Sequence, residues 1–237
     1  MARVSPLHSP FSMLSDPANS NHNPSTVFVV DDDVDLRDSL VMLLRALGHI
    51  VLPFSSAEEF SSSYVDQPGC LVLDIQMPGK NGIELYEELL TQGKRIPVIF
   101  ITAHASISIA VAALKTGAID FLEKPFDRNT LSDRIERAFQ ADAAWRECDT
   151  RYQQLDQLVQ GLSENDQETL KMIILGDTNK AMAAKLLITE RAVELRRQRL
   201  MQRLNVRSLP ELLNLTITHR VLAEVRELNQ PRLFPGA

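Results

Sequence analysis

Cysteine is almost absent: the 237 residues include only Cys70 and Cys148. They form no CxxC pair and no metal-spaced cluster, which points to a reducing compartment and so to the cytoplasm. No apolar stretch approaches the roughly eighteen residues of a membrane span, so no membrane partner is expected. A secretory leader is not expected either: Arg3 is the only Lys or Arg among residues 1–25, and no apolar core follows it. That segment is rich in Ser, Pro and Asn, lacks periodic apolar positions and reads as a flexible leader. What remains is ordinary. The chain is 44% hydrophobic and 24% charged, enough for a real core in one or two domains.

The net charge of −6 hides an asymmetry. Residues 1–150 carry 12 Lys/Arg against 21 Asp/Glu, a net −9, whereas residues 151–237 carry 13 against 10, a net +3. An acidic front and a basic rear suggest two modules, the second a candidate for binding a polyanion.

From Val27 short apolar runs alternate with amphipathic stretches. The runs are Val27–Val30, Cys70–Leu73, Pro97–Ile101 and Ile119–Leu122, with a weaker Ile50–Leu52. Runs of this kind read as strands buried on both faces. Between them Leu36, Leu40, Leu43, Leu44 and Leu47 repeat at helical spacing up to Gly48. Ile83–Leu90 and Ile107–Leu114 read as further helices. Another starts near Asp127 and carries Leu131, Ile135 and Phe139. The alternation predicts a five-stranded, parallel, doubly wound α/β domain over residues 26–140.

Residues 141–156 read as a helical linker. From Leu162 no strand signal remains. Ser163, Thr178, Thr189 and Ser208 each open a helix, and Gly176 closes the first, giving a small all-α unit over residues 157–222. Residues 223–237, with Pro231 and Pro235, read as a loose tail.

Sites in parallel sheets lie at the carboxyl ends of the strands. Here those ends supply Asp31-Asp32-Asp33, Asp74, Thr102 and Lys124-Pro125. Crowded carboxylates call for a cation, and Mg²⁺ takes carboxylate and water oxygens. Lys124 and Thr102 add a charge and a donor suited to phosphoryl oxygens. Singly, Asp31–Asp33 read equally well as helix caps and Asp74 as a turn residue. Four strand ends with matched chemistry favour a site.

Val30-Asp31-Asp32, Leu73-Asp74-Ile75-Gln76-Met77-Pro78-Gly79, Ile101-Thr102-Ala103-His104 and Phe121-Leu122-Glu123-Lys124-Pro125-Phe126 resemble the receiver domain of bacterial two-component response regulators. The resemblance implies a flavodoxin-like fold in which Asp74 accepts a phosphoryl group from a sensor histidine kinase. It also implies that Asp32, Asp74 and the Gln76 carbonyl hold Mg²⁺ while Asp31 acts mainly through water. Thr102 and Lys124 would then bind phosphoryl oxygens, with Thr102 and Phe121 as the switch pair and a cis Lys124-Pro125 bond. Dimerisation on phosphorylation, through strand five and the helices on either side of it, follows from the same resemblance. A rival is a haloacid dehalogenase-like phosphatase, whose motif Asp31-x-Asp33 resembles. Against it, position 35 is Asp where that motif has Thr or Val, and no acidic pair follows Lys124.

Residues 189–207 carry six Arg against two Glu. On a helix from Glu190 to Leu204, Val193, Leu200 and Leu204 form a core stripe. Arg191, Leu195, Gln198 and Gln202 lie opposite, Glu194 and Arg199 beside them, and Arg196, Arg197 and Arg203 on the flanks. The preceding turn, Leu187-Ile188-Thr189, has helix-turn-helix spacing. Asn179–Leu186, Thr189–Glu194 and Leu204–Ser208 resemble a LuxR-type helix-turn-helix, and the domain order is similar to FixJ/NarL-type transcription regulators. Ala192, Arg196 and Asn165-Asp166 depart from the family's usual Thr, His and Arg-Glu. The resemblance implies double-stranded DNA as partner, with RNA polymerase as a further candidate, and base reading by Glu194, Leu195 and Gln198. Lys180, Arg191, Arg196, Arg197, Arg199 and Arg203 are the remaining candidate DNA contacts. A receiver with a protein- or RNA-binding output is the other alternative. RNA readers usually present aromatics, and the rear module has only Tyr152 and Phe234, which favours DNA. No enzymatic turnover is expected of such a chain.

Overall fold

A computed structural model of the protein describes residues 25–103, 111, 113 and 115–228. The chain divides into two compact units, whose described parts are residues 25–147 and 148–228.

The first unit is a five-stranded parallel sheet of β1 (Thr26–Val30), β2 (Ile50–Phe54), β3 (Gly69–Asp74), β4 (Val98–Thr102) and β5 (Asp120–Glu123). The strand order is β2-β1-β3-β4-β5. Every strand pairing is parallel, so the carboxyl ends of β1, β3, β4 and β5 form one edge. β1, β3 and β4 are buried throughout, as their unbroken apolar runs demand. Alternate residues serve opposite cores. Phe28, Leu71, Leu73 and Phe100 join one; Val27, Val29, Val72 and Ile99 join the other. β2 is an edge strand, which is where a ladder tolerates Pro53.

Helices α1 (Val34–Ala46), α2 (Ala57–Ser63), α3 (Gly82–Thr91) and α4 (Arg128–Gln160) follow four of the strands. Asp33 caps α1, accepting the amides of Asp35 and Leu36 at 3.0 and 3.2 Å. Asn81 and Glu84 form a capping box on α3. α2 was not foreseen. Its seven residues bury only Ala57 and Phe60, too few to show a period. The helix expected over 107–114 falls largely outside the described residues. α4 starts as expected, with the Asp127 carboxylate accepting the Asn129 and Thr130 amides, each at 2.9 Å. It then continues without a break to Gln160, so the last helix expected in the α/β domain and the expected linker are one element of 33 residues.

The second unit holds α5 (Glu164–Ile174), α6 (Asn179–Leu186), α7 (Glu190–Arg203) and α8 (Leu209–Leu228). Ser163, Thr178 and Thr189 cap the first three. Their core gathers Leu170, Ile173, Met182, Val193, Leu200 and Leu212. α8 runs six residues past position 222, through the start of the segment read as tail. Side chains at its far end are held by the last turns of α4. The Arg226 guanidinium lies over the Tyr152 ring at 4.7 Å and its Nε donates to Asp149 at 2.9 Å. His219 stacks on the same ring at 5.4 Å, with its Nε2 3.0 Å from Asp156.

Candidate functional site

At the carboxyl edge of the sheet Asp31 follows β1, Asp74 ends β3, Thr102 ends β4 and Lys124 follows β5. The Lys124 ammonium donates to Asp31 Oδ2 at 2.9 Å and to Asp74 Oδ1 at 2.6 Å. Asp31 and Asp74 are buried, and Thr102 is fully enclosed. The Lys124 amide donates to the Thr102 carbonyl at 2.8 Å, which seats the lysine beside the threonine. The Lys124-Pro125 bond is cis. Phe121 is half-buried and in register with Phe100. Asp32 and the Gln76 side chain are exposed. His104, which closes the Ile101–His104 motif, lies outside the described residues.

The three consecutive aspartates therefore divide their work. Asp33 is the helix cap that the plainer reading allowed, whereas Asp31 turns inward to Lys124. One contact had no sequence signal: Arg37, one turn into α1, donates from Nη1 to the Asp31 carbonyl at 2.6 Å.

Burial disfavours charge on both Asp74 and Lys124. For Asp74 burial outweighs the Lys124 bond, and the neighbouring Asp31 adds to it, so the carboxyl lies above its usual range. For Lys124 burial is outweighed by the bonds to Asp74 and Asp31, which hold the ammonium protonated. One cation thus stands between two buried carboxylates, leaving an excess of negative charge.

Among the described residues, no three His, Cys, Asp or Glu side chains lie close enough together to form a metal cage. The donor chemistry nonetheless fits Mg²⁺, which takes one or two carboxylates, keeps several waters and relies on phosphate for the rest.

In the second unit α6, the turn and α7 form a helix-turn-helix. Leu187 turns the corner at φ 55° with its side chain exposed. Val193, Leu200 and Leu204 are buried, as the expected stripe requires. Arg191, Glu194, Leu195, Gln198, Arg199 and Gln202 are exposed, as is Lys180 on α6. Arg191 pairs with Glu194 at 3.3 Å. Arg196 and Arg197 are half-buried, and the Arg197 guanidinium lies 3.9 Å from the Met182 sulfur. Arg203 is exposed as well. It pairs with Asp166, a nearly buried carboxylate that also accepts from the Ser163 hydroxyl at 2.7 Å.

The acidic edge of the parallel sheet and the basic second helix of the helix-turn-helix define a class: signalling proteins with an α/β input domain and a helix-turn-helix output. Residues 27–136 match the response regulator receiver domain family, and residues 160–216 match the luxR family of bacterial regulatory proteins. The chain is 38% identical over 205 residues to nodulation protein W of Bradyrhizobium diazoefficiens, covering 86% of this chain and 90% of that protein. It is 35% identical to the transcriptional regulatory protein FixJ of Azorhizobium caulinodans, covering 81% and 91%. Among solved structures it is similar to the response regulator StyR, at 45% identity and a TM-score of 0.75 over 82% of this chain and 98% of that one. The chain belongs to the two-component response regulators with a LuxR-type helix-turn-helix, and its function is transcription regulation.

Proposed function

We propose that Asp74 is the phosphoryl acceptor and that its phosphorylation by a sensor histidine kinase controls DNA binding by α7. The observation that carries this reading is the Lys124 ammonium bridging Asp31 and Asp74 at a buried strand end. An Asp74 oxygen attacks phosphorus, a P–O bond forms, and the P–N bond to the kinase histidine breaks, its electron pair staying on the histidine nitrogen. Asp32, Asp74 and the Gln76 carbonyl would hold Mg²⁺, with Asp31 acting through water, and the ion would screen the negative charge of the incoming group. Lys124 and the Thr102 hydroxyl take phosphoryl oxygens. As Thr102 engages, Phe121 turns toward the space it leaves. The role is that of a switch and not of an enzyme with turnover, and an Asp31-based phosphatase is not supported, since residues 27–136 match the receiver family.

Residues 26–140 form the receiver, 141–156 the linker and 157–222 the DNA-binding domain. In the cytoplasm the phosphorylated chain pairs with a second copy through β5 and its flanking helices, then engages double-stranded DNA and RNA polymerase. Glu194, Leu195 and Gln198 read bases from the exposed face of α7. Lys180, Arg191, Arg196, Arg197 and Arg199 supply charge at the backbone. The test is selection of bound sequences from random DNA with and without acetyl phosphate. A single enriched palindrome, bound more tightly with donor, is expected; no enrichment in either condition contradicts the reading.

A further inference from the structure

The strand that ends at Asp74 begins at Gly69, and that beginning is bonded to α4. The Gly69 amide donates to Asp142 Oδ2 at 3.0 Å. Arg146, one turn on, places its Nε 3.0 Å from both Asp142 oxygens. Its Nη2 reaches Asp66 Oδ1 and the Gln67 carbonyl, each at 2.8 Å. Beside them the Arg95 guanidinium lies 4.5 Å from the centre of the Trp145 ring. Two loops, one leading into β3 and one into β4, therefore grip Asp142, Trp145 and Arg146 on a single stretch of helix.

Position 142 is unusual for a carboxylate. The buried residues of α4 are Leu131, Ile135, Ala138 and Asp142, a single stripe whose last place takes a charge instead of an apolar side chain. An unpaired buried carboxylate is strongly unfavourable, and here the Gly69 amide and Arg146 satisfy it. An apolar contact tolerates sliding, whereas a buried polar network is directional and admits one register. Gly69 is itself fixed by its packing on β1, since a Cβ there would lie 2.2 Å from the Thr26 carbonyl oxygen. Beyond Arg146 the helix leaves the first unit, so these are its last fastenings there.

We infer that Asp142 and Arg146, closed on Gly69, Gln67 and Asp66, form a latch that keeps α4 helical as it leaves the receiver, and that the phosphorylation-dependent change in DNA binding requires it. Asp142 and Arg146 are positioning residues; they touch neither phosphoryl group nor DNA. The second half of the inference rests on the function proposed above.

The test compares full-length wild type, Asp142→Asn and Arg146→Lys by hydrogen exchange and by DNA affinity with and without acetyl phosphate. In both variants amides 139–150 should exchange faster by about tenfold or more, with β4 unchanged. Asp74 should still be labelled, while the gain in DNA affinity on adding donor shrinks by about threefold or more. Unchanged exchange over 139–150 in both variants overturns the latch, whatever the phosphorylation result. Faster exchange with an undiminished donor response overturns its role in signalling. Should Asp142→Asn loosen the whole receiver, Arg146→Lys, which keeps the charge but loses the forked geometry, decides between these outcomes. If wild type takes no label on Asp74, the proposed function fails while the exchange result still judges the latch.

Discussion

Lys124 holds its ammonium 2.6 Å from Asp74 while remaining 2.9 Å from Asp31, so one positive charge serves two buried carboxylates. This crowding makes the resting site a place of excess negative charge, receptive to a cation and, with it, to a phosphoryl group. It also gives the site's residues opposite effects on stability.

Asp74→Asn removes one of two crowded carboxylates and is expected to leave the urea midpoint unchanged or raise it. Lys124→Gln leaves both carboxylates without their cation. Breaking a fully buried pair costs roughly 3–5 kcal/mol, and because Lys124 keeps some contact with solvent a loss of about 1–3 kcal/mol is expected. Urea denaturation in metal-free buffer measures both. A stabilised Lys124→Gln would contradict the charge arrangement.

Arg203 and Arg197 should separate in a DNA titration. With Asp166 as its partner, Arg203→Ala should lower stability by on the order of 1 kcal/mol, given its exposure, and leave the salt slope of DNA binding nearly unchanged. Arg197→Ala should flatten that slope by about one unit on every sequence. Glu194→Ala should instead change preference, by roughly 1–3 kcal/mol at one base pair. Equal losses for Glu194→Ala and Arg197→Ala on specific and random DNA would refute the assignment of readers and backbone contacts.

Leu187 adopts φ 55° with an exposed side chain, a conformation glycine enters without steric cost. Leu187→Gly is therefore expected to stabilise the helix-turn-helix by about 0.5–1 kcal/mol, less the entropy that glycine loses on folding. Thermal denaturation monitored by circular dichroism provides the check. A fall in the midpoint would show that Leu187 makes a contact worth more than its backbone strain.

The two thiols should differ in reactivity. Burial, with Asp142 nearby, pushes the Cys70 thiol far above its usual range, while Cys148 is half-exposed. One equivalent of maleimide should react with the native protein, at Cys148, and a second only after unfolding. Rapid modification of Cys70 in native buffer would mean that the core around β3 opens far more readily than its burial implies.

The sheet was readable because its strands are continuous apolar runs, and the acidic edge because parallel topology sends every strand's carboxyl end to one side. The caps at Ser163, Thr178 and Thr189 were equally plain, since a hydroxyl before a helical period has few other uses. What escaped was set by tertiary contact. α2 is too short to show a period. The helical run past residue 140 was legible, but its anchoring was not: Asp142 looks like a surface charge until Gly69 is seen beside it. The Arg203–Asp166 pair was equally hidden, because nothing local reveals a partner on another helix. Similarly, the end of α8 is held by Tyr152 and Asp149, some seventy residues earlier in the chain.

The central claim, that Asp74 is the phosphoryl acceptor, is tested most directly by mass spectrometry of the full-length protein treated with acetyl phosphate and Mg²⁺. Borohydride reduction before digestion converts the acyl phosphate to a stable alcohol. The expected result is a single modified site at Asp74, absent without Mg²⁺ and absent in Asp74→Asn. Modification centred on Asp31, or a label of undiminished yield in Asp74→Asn, would contradict the account.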